Sequence, residues 1–397
     1  MMSVWSSLVG QDAAVAKLSE AAASARAIVA SRGSGRTSDE ARSMSHAWLI
    51  TGPPGSGRSV AARAFAAALQ CTGATPGCGQ CPGCRTTMGR TNADVLFAAT
   101  ETSIINVETA RSLVLQAQSS PSQGLWRVIV VEDADRLGES GANALLKAIE
   151  EPPEHTVWLL CAPSPEDMIA TIRSRCRHLG LRIPTASAVA DLLVREGVAT
   201  PDVALEAARA AQSHIGLARA LARDPQMRER RRAIITAPAS VRSVGEAVMA
   251  ADRLLETAKA QADAQVSERN AREKAELLRQ LGMDEGESAT KASRTMIRQL
   301  EEDQKRRSKR ALTDAIDRAL IDLLAIYRDV LMVQVGGDGE LINTDLSDLV
   351  HEIAQDSTPR QTLARVDHIE TARKRLVSNG NPLLVLEDMA ISLRPQA

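Results

Sequence analysis

Ala47-Trp48-Leu49-Ile50-Thr51-Gly52-Pro53-Pro54-Gly55-Ser56-Gly57-Arg58-Ser59 is the stretch on which the fold turns. A short apolar run breaks at a glycine, and a glycine-rich turn follows. Beyond it, Val60, Ala64, Phe65, Ala68 and Leu69 fall on one face of a helical pattern. Strand, glycine loop and helix in that order form the setting of a phosphate-binding loop. The glycines let backbone N–H groups turn towards an anion, and the helix N-terminus adds its dipole. Gly52, Gly55, Gly57, Arg58 and Ser59 are therefore the candidate contacts for a nucleotide, with Ser59 able to hold magnesium. The active pattern places lysine where Arg58 stands. A guanidinium carries the same charge on a broad planar fork and does not replace a compact ammonium. Two readings stay open: an ATP and magnesium site of reduced competence, and a loop that keeps its shape without a ligand.

Working outward, residues 13–30 and 107–118 read as helices. Ala142, Leu145, Leu146 and Ile149 make a helical stripe that stops before Pro152 and Pro153. Residues 128–131, 157–160 and 179–183 read as further buried strands. Apolar strands alternating with helices predict an α/β fold with a parallel sheet covered on both faces. The second strand runs into Glu132-Asp133. An active ATPase usually carries Asp then Glu here, to hold magnesium and polarise water. The reversed order displaces both carboxylates, and errors of about 1 Å cost about a hundredfold in rate. Glu132 and Asp133 are a degenerate acidic pair, or simply a charged turn.

Cys71, Cys78, Cys81 and Cys84 fall within fourteen residues, while Cys161 and Cys176 stand apart as small core residues. In a reducing compartment such clustering reads as metal binding. Four thiolates close a tetrahedral, structural zinc site with no open position for catalysis. An iron–sulfur cluster also takes four cysteines, and four free thiols are the third reading.

The chain has 397 residues, which suggests about two or three domains. Hydrophobic residues make up 44% and charged residues 24%, too apolar for global disorder. Forty-eight basic and 49 acidic residues leave a net charge of −1, against a free-standing nucleic-acid grip. Aromatics at 2% argue against a stacking platform for single-stranded bases. There is no long apolar run for a membrane span and no signal-peptide pattern at the start, so a cytoplasmic address is expected. After Pro184 the strand signal disappears. Residues 258–310 are rich in Ala, Glu, Lys, Arg and Gln around a Gly282–Gly286 break, and predict two long exposed helices joined by a turn. Glu301/Lys305, Glu302/Arg306 and Asp303/Arg307 are acid-before-base pairs at i,i+4. Lys147 and the basic clusters at 228–232 and 305–310 could meet DNA phosphates or serve as plain helix surface.

Several motifs together resemble the AAA+ clamp-loader family of bacterial DNA polymerase III: the box Trp5–Gln11, the phosphate loop followed by the four-cysteine knuckle, the helix of residues 143–153, and Ser174-Arg175-Cys176. The match is strong over about residues 4–183. The resemblance implies an AAA+ core over 1–183 with a zinc module, a small helical lid over 184–232, and a helical collar over 233–397 carrying the charged hairpin insert at about 258–310. It implies a five-subunit ring that loads the sliding clamp on primed DNA, with motor subunits (gamma/tau) and a delta subunit as partners and primer–template DNA met through the assembly. Motor subunits keep the loop lysine and an Asp-Glu pair; this chain has neither. The resemblance then implies a non-hydrolysing member that lends Arg175 as an arginine finger in trans to a neighbouring ATPase. The alternatives are a motor subunit that hydrolyses ATP itself, and an ion pair for Arg175. Two further departures fit the first reading. Leu160-Cys161-Ala162-Pro163 offers no hydroxyl before Ser164, and Gly216 stands where a second sensor arginine is expected, with Arg219 as a substitute.

Overall fold

The computed structural model describes residues 3–31, 43–98, 104–281 and 291–394. Contacts divide the chain into two units, Met1–Arg219 and Ala220–Ala397. The first holds a five-stranded sheet: β1 (Ala47–Thr51), β2 (Val95–Ala98), β3 (Arg127–Val131), β4 (Thr156–Ala162) and β5 (Arg177–Gly180). The order is β2-β3-β4-β1-β5 and every pairing is parallel. β1 and β4 are buried at every residue, as central strands with both faces covered must be.

Two strands differ from the sequence reading. β2 is an additional strand of four residues, half-buried at three of them, at the sheet edge. A short edge strand beside polar residues shows no long apolar run. β5 covers Arg177–Gly180 where 179–183 was expected. Its Arg177 and His178 are exposed on the opposite edge, so polarity hides its first half.

The helices of this unit are α1 (Asp12–Ser31), α2 (Arg58–Leu69), α3 (Pro82–Met88), α4 (Val107–Ala117), α5 (Glu139–Glu150), α6 (Ala170–Arg173), α7 (Ala186–Arg195), α8 (Pro201–Ala210) and α9 (Ile215–Arg223), the last running over the unit boundary. Strand residues alternate between two cores with the period of two that a pleat imposes. Trp48, Ile50, Val128 and Val130 pack with Leu18 of α1 and Phe65 of α2. Leu49, Ile129 and Val131 pack with Leu113 of α4 and with Leu145 and Ile149 of α5. Cys161 is buried and Cys176 half-buried against these cores, as read.

All five strands start at one edge of the sheet and end at the other. Ligands of open parallel sheets gather at the C-terminal edge, where the phosphate loop leaves β1. The N-terminal edge is braced by Asp94, a fully buried carboxylate just before β2. It accepts the backbone N–H groups of Ser122, Gln123 and Gly124 and the Ser122 hydroxyl at 2.6–2.9 Å, tying down the turn that enters β3.

The second unit is helical: α10 (Pro225–Ser240), α11 (Val244–Gln280), α12 (Lys291–Gln334), α13 (Ser347–Gln355), α14 (Pro359–Val377) and α15 (Pro382–Ser392). With 37 and 44 residues, α11 and α12 are about 55 and 66 Å long. They include the two helices expected over 258–310, and the Gly282–Gly286 break lies outside the described residues. The base of that hairpin is core rather than exposed helix: Ala258 packs in the main core of this unit, and Ala262 and Val266 are buried with Ala311. Of the expected i,i+4 pairs, Glu302 and Arg306 stand at 3.9 Å. Arg307 instead crosses to Glu273 and Asn270 of α11 at 2.8 and 2.7 Å. The cluster at 228–232 is partly consumed inside the fold. Arg231 is buried and donates to Asp322 at 2.9 Å and Asn343 at 2.6 Å, and Arg228 donates to the carbonyls of Leu221 and Ala222.

Candidate functional site

The loop has the backbone that anion binding requires. Gly55 and Gly57 sit at φ +87° and +89°, where a side chain is strained, and Gly57 caps α2. Gly55 is also a close approach: a Cβ there would lie 2.8 Å from the Cα of His214. Gln212 and Ser213, both at positive φ, bring His214 onto the loop from the turn before α9. Nothing local in the sequence marks this contact. Gln11, from the Trp5–Gln11 box, sits under the loop. Its amide donates to the carbonyls of Ser56 and Arg182 and accepts from the Arg182 N–H.

The charges at this edge are satisfied within the chain. The Arg58 guanidinium folds back and donates to the carbonyl of Gly52, at the other end of its own loop. Glu132 is largely buried and pairs with Arg90 at 2.6 Å, with the partly buried Arg63 close enough to feel it. Asp133 follows β3 as the cap of a short 3-10 turn. Asp135, on that turn, is held above the usual carboxylate range by burial and then by the charge of Asp133, against the pull of Arg136 and Arg58. Between loop and acids, β4 ends in buried Cys161, whose thiol burial pushes up to about 12, followed by Ala162 and Pro163. The Pro163 carbonyl accepts the Gly52 N–H at 3.1 Å. Arg219 is taken by a two-pronged pair with Glu196, both bonds 2.9 Å. Thus Gly52, Gly55, Gly57, Arg58 and Ser59 form one loop as read, while Glu132 spends its charge on Arg90, a partner 42 residues away that spacing could not foretell.

Arg175 lies elsewhere. β5 pairs with β1 in the register Trp48↔Arg177 to Thr51↔Gly180. Arg175 precedes the start of β5, and the phosphate loop follows the end of β1. Three strand rises, about 10 Å, separate those two levels before either flank is counted. Arg175 therefore leaves the sheet at the edge opposite its own loop. Its side chain is 39% exposed and pairs with Glu150 at the end of α5, itself 41% exposed. It also donates to the Thr171 carbonyl at 2.8 Å and reaches the Ser174 hydroxyl at 3.3 Å. Glu150 lies within the 143–153 motif, where spacing along the chain gives no sign of its pairing with Arg175. Lys147 of the same helix is exposed.

The cysteines meet as the spacing suggested. α2 runs back from the loop for 12 residues, about 18 Å, and Cys71 follows two residues after its end. The sulfurs of Cys71, Cys78, Cys81 and Cys84 all lie within 4.8 Å of one another. Those of Cys71 and Cys81 are 3.8 Å apart, the edge, about 3.8 Å, of a tetrahedron built on metal–sulfur bonds of about 2.3 Å. Backbone N–H groups point at sulfur: Cys81 to Cys78 and Cys84 to Cys81, each at 3.4 Å. Burial pushes Cys81 up, but the N–H groups of Cys84 and Thr72 outweigh it and bring the thiol down to about 5, while burial raises Cys84. Four sulfurs this close cannot all ionise unless a cation sits among them, so the cluster could hold a metal ion. Its turn also anchors the start of the chain. Gly77, at φ +81°, accepts the Val4 N–H at 3.0 Å and the Ser3 hydroxyl at 2.9 Å, and Trp5 donates to Pro76.

Residues 36–185 match the family model described as DNA polymerase III, delta subunit. The chain is 35% identical to the gamma/tau subunit of DNA polymerase III from Mycobacterium bovis over 173 residues, 41% of this chain and 29% of that one. It is equally 35% identical to the delta' subunit from Pseudomonas aeruginosa over 166 residues, 41% of this chain and 50% of that one. The chain thus spans half or less of the length of these curated relatives. A solved gamma subunit-related protein from Thermotoga maritima aligns over 88% of this chain and 93% of its own, with 16% identity and a TM-score of 0.39. No described helix is long and apolar enough to cross a membrane.

Proposed function

We propose, on the premise that residues 36–185 are a clamp-loader domain of the DNA polymerase III family, that the chain is the delta-prime subunit of the bacterial clamp loader. In this reading it is a non-hydrolysing arm of an AAA+ ring, with motor subunits, a delta subunit, the sliding clamp and primer–template DNA as the partners of the assembly. The core, lid and collar then correspond to 1–183, 184–232 and 233–397, and the hairpin at 258–310 projects from the collar. The observation that carries the reading is the placement of Arg175 at the sheet edge opposite its own loop. A guanidinium there is useless to its own pocket and available to a neighbour's. Beside a transferring phosphoryl group it stabilises spreading negative charge, worth about 10³–10⁵ in rate in related systems. Its bond to Glu150 is between half-exposed groups, worth about 0–1 kcal/mol, and is easily exchanged for a phosphate.

Relatives named gamma/tau match as well as those named delta', so the motor reading has its own support. Against it stand Arg58 turned onto Gly52 and Glu132 held by Arg90: an incoming triphosphate must break the first, and magnesium lacks the second. Calorimetric titration of the chain with magnesium and ATP separates the two. The arm reading expects no turnover, with weak or no binding; turnover by the chain alone overturns it. Cys71, Cys78, Cys81 and Cys84 would hold a structural zinc, which supplies cross-linking and no catalysis. Metal analysis at about one zinc per chain tests this, and iron with visible absorbance refutes it.

A further inference from the structure

The helical unit contains a cavity of about 410 Å³ that no part of the proposed function uses. Five helices or their ends line it: α10 with Pro238 and Ala239, α12 with Tyr327, α13 with Glu352 and Ile353, α14 with Arg365, and Leu393 after α15. Arg365 is only 7% exposed and Tyr327 3%. The guanidinium stands 5.8 Å from the centroid of the Tyr327 ring, a cation–π distance. It forms no ion pair and no hydrogen bond among the described residues, and neither does the Tyr327 hydroxyl. Elsewhere in this unit the buried arginine has partners: Arg231 bonds Asp322 and Asn343. None of its nitrogens is fully sealed from solvent, so the guanidinium faces the cavity and is open to a ligand or to water. The carboxylates that line the same cavity, Glu352 and Asp356, are exposed, as is Arg242. The polar floor is therefore cationic and the charged rim mixed, with Pro238, Ile353 and Leu393 as an apolar wall. Ligand pockets commonly fall between about 300 and 1,000 Å³.

We propose that this cavity binds the oxyanion of a small molecule with a short apolar stem, a carboxylate or a phosphate, seated on Arg365 and Tyr327. The planar fork of arginine matches either oxyanion with two parallel bonds. The tyrosine hydroxyl, which burial holds well above its usual range against the pull of Arg365, stays a donor at neutral pH. The two rim carboxylates disfavour a second negative charge on the ligand.

Tyr327 is the chain's single tyrosine, so full-length protein grown on 3-fluorotyrosine gives one fluorine resonance at the cavity. It is titrated at constant ionic strength with sodium butyrate, with inorganic phosphate, and with butylammonium chloride as the cationic control. The expected result is a saturable shift with butyrate, phosphate or both, and none with the control. The tighter of the two anions identifies the source of the oxyanion. Arg365→Gln should abolish saturation, and Arg365→Lys, which keeps the charge without the fork, should weaken it about tenfold. No saturation with either anion overturns the proposal. So does an equal shift with butylammonium, or titrations of a folded Arg365→Lys protein that match the wild type. Circular dichroism establishes that each variant is folded, and the wild-type titrations decide by themselves if neither is.

Discussion

The two edges of the parallel sheet use the same kinds of residue to opposite ends. At the C-terminal edge, the loop that could receive a phosphate has its arginine turned onto its own carbonyl and its first acid paired with Arg90. At the N-terminal edge, rigid devices accumulate: buried Asp94 with its four donors, and the four-cysteine knuckle pinned to the chain start. At the same end of the sheet, ahead of β5, Arg175 is exposed, paired with half-exposed Glu150 and bonded to the Thr171 carbonyl. Arg58 is turned into its own loop, whereas the contacts of Arg175 are exposed and can be exchanged. On the proposed function, an exposed side chain on a stiff part of the fold is what presenting a guanidinium to another molecule requires.

The largest expected effect concerns the cysteine cluster and the zinc proposed for it. Structural zinc contributes about 10–16 kcal/mol of apparent binding energy in small modules, so Cys81→Ser should take bound metal from about one equivalent to none. It should also expose residues 3–11 to proteolysis, because the knuckle holds Val4 and Trp5. Unchanged metal content would detach the cysteines from this edge's rigidity. Next comes Arg175→Ala: on the proposed function, it should slow hydrolysis at the adjoining site of a reconstituted loader by about 10³-fold or more, about 4 kcal/mol, with the melting temperature of the chain unchanged. Full activity would break the contrast between the edges outright.

Asp94→Asn should cost about 3–5 kcal/mol by urea unfolding, since one of the two acceptor oxygens becomes an NH2 that faces two buried donors. Burial alone would raise the pKa of Asp94, but the N–H groups of Ser122, Gln123 and Gly124 outweigh it and hold the value low. The folded pKa is thus below the unfolded one, so the stabilisation is complete above the unfolded value of about 3.9 and drains away as pH falls through the folded value. The gap between wild type and variant should be constant above about pH 5 and shrink below about pH 4; a gap that grows in acid would refute the assignment. The smallest effect is at Glu150→Gln, which should change stability by less than about 1 kcal/mol while leaving the loader at least as active. A large loss of stability would mean the pair is a structural brace rather than a loose tether for Arg175.

Much of the first unit was legible because its signals are local. A glycine loop between a strand and a helix, four cysteines in fourteen residues, and central strands apolar at all but one end residue each declare themselves within a short window. β2 and the start of β5 escaped because edge strands need not be apolar. Arg307 was assigned to the wrong carboxylate because helix spacing ranks neighbours on one helix and is blind to the next one, where Glu273 lies.

The sequence by itself determined the loop, its missing lysine, the reversed acids and the four-cysteine set, since each depends on residue identity and short spacing along the chain. Only the tertiary structure decided that Glu132 answers Arg90, that Arg175 stands at the far edge beside Glu150, that His214 presses on Gly55, and that Arg365 lines a cavity. Those pairings join residues tens of positions apart. Charge and hydrogen bonding act through space, and the folded backbone alone sets which distant groups share it.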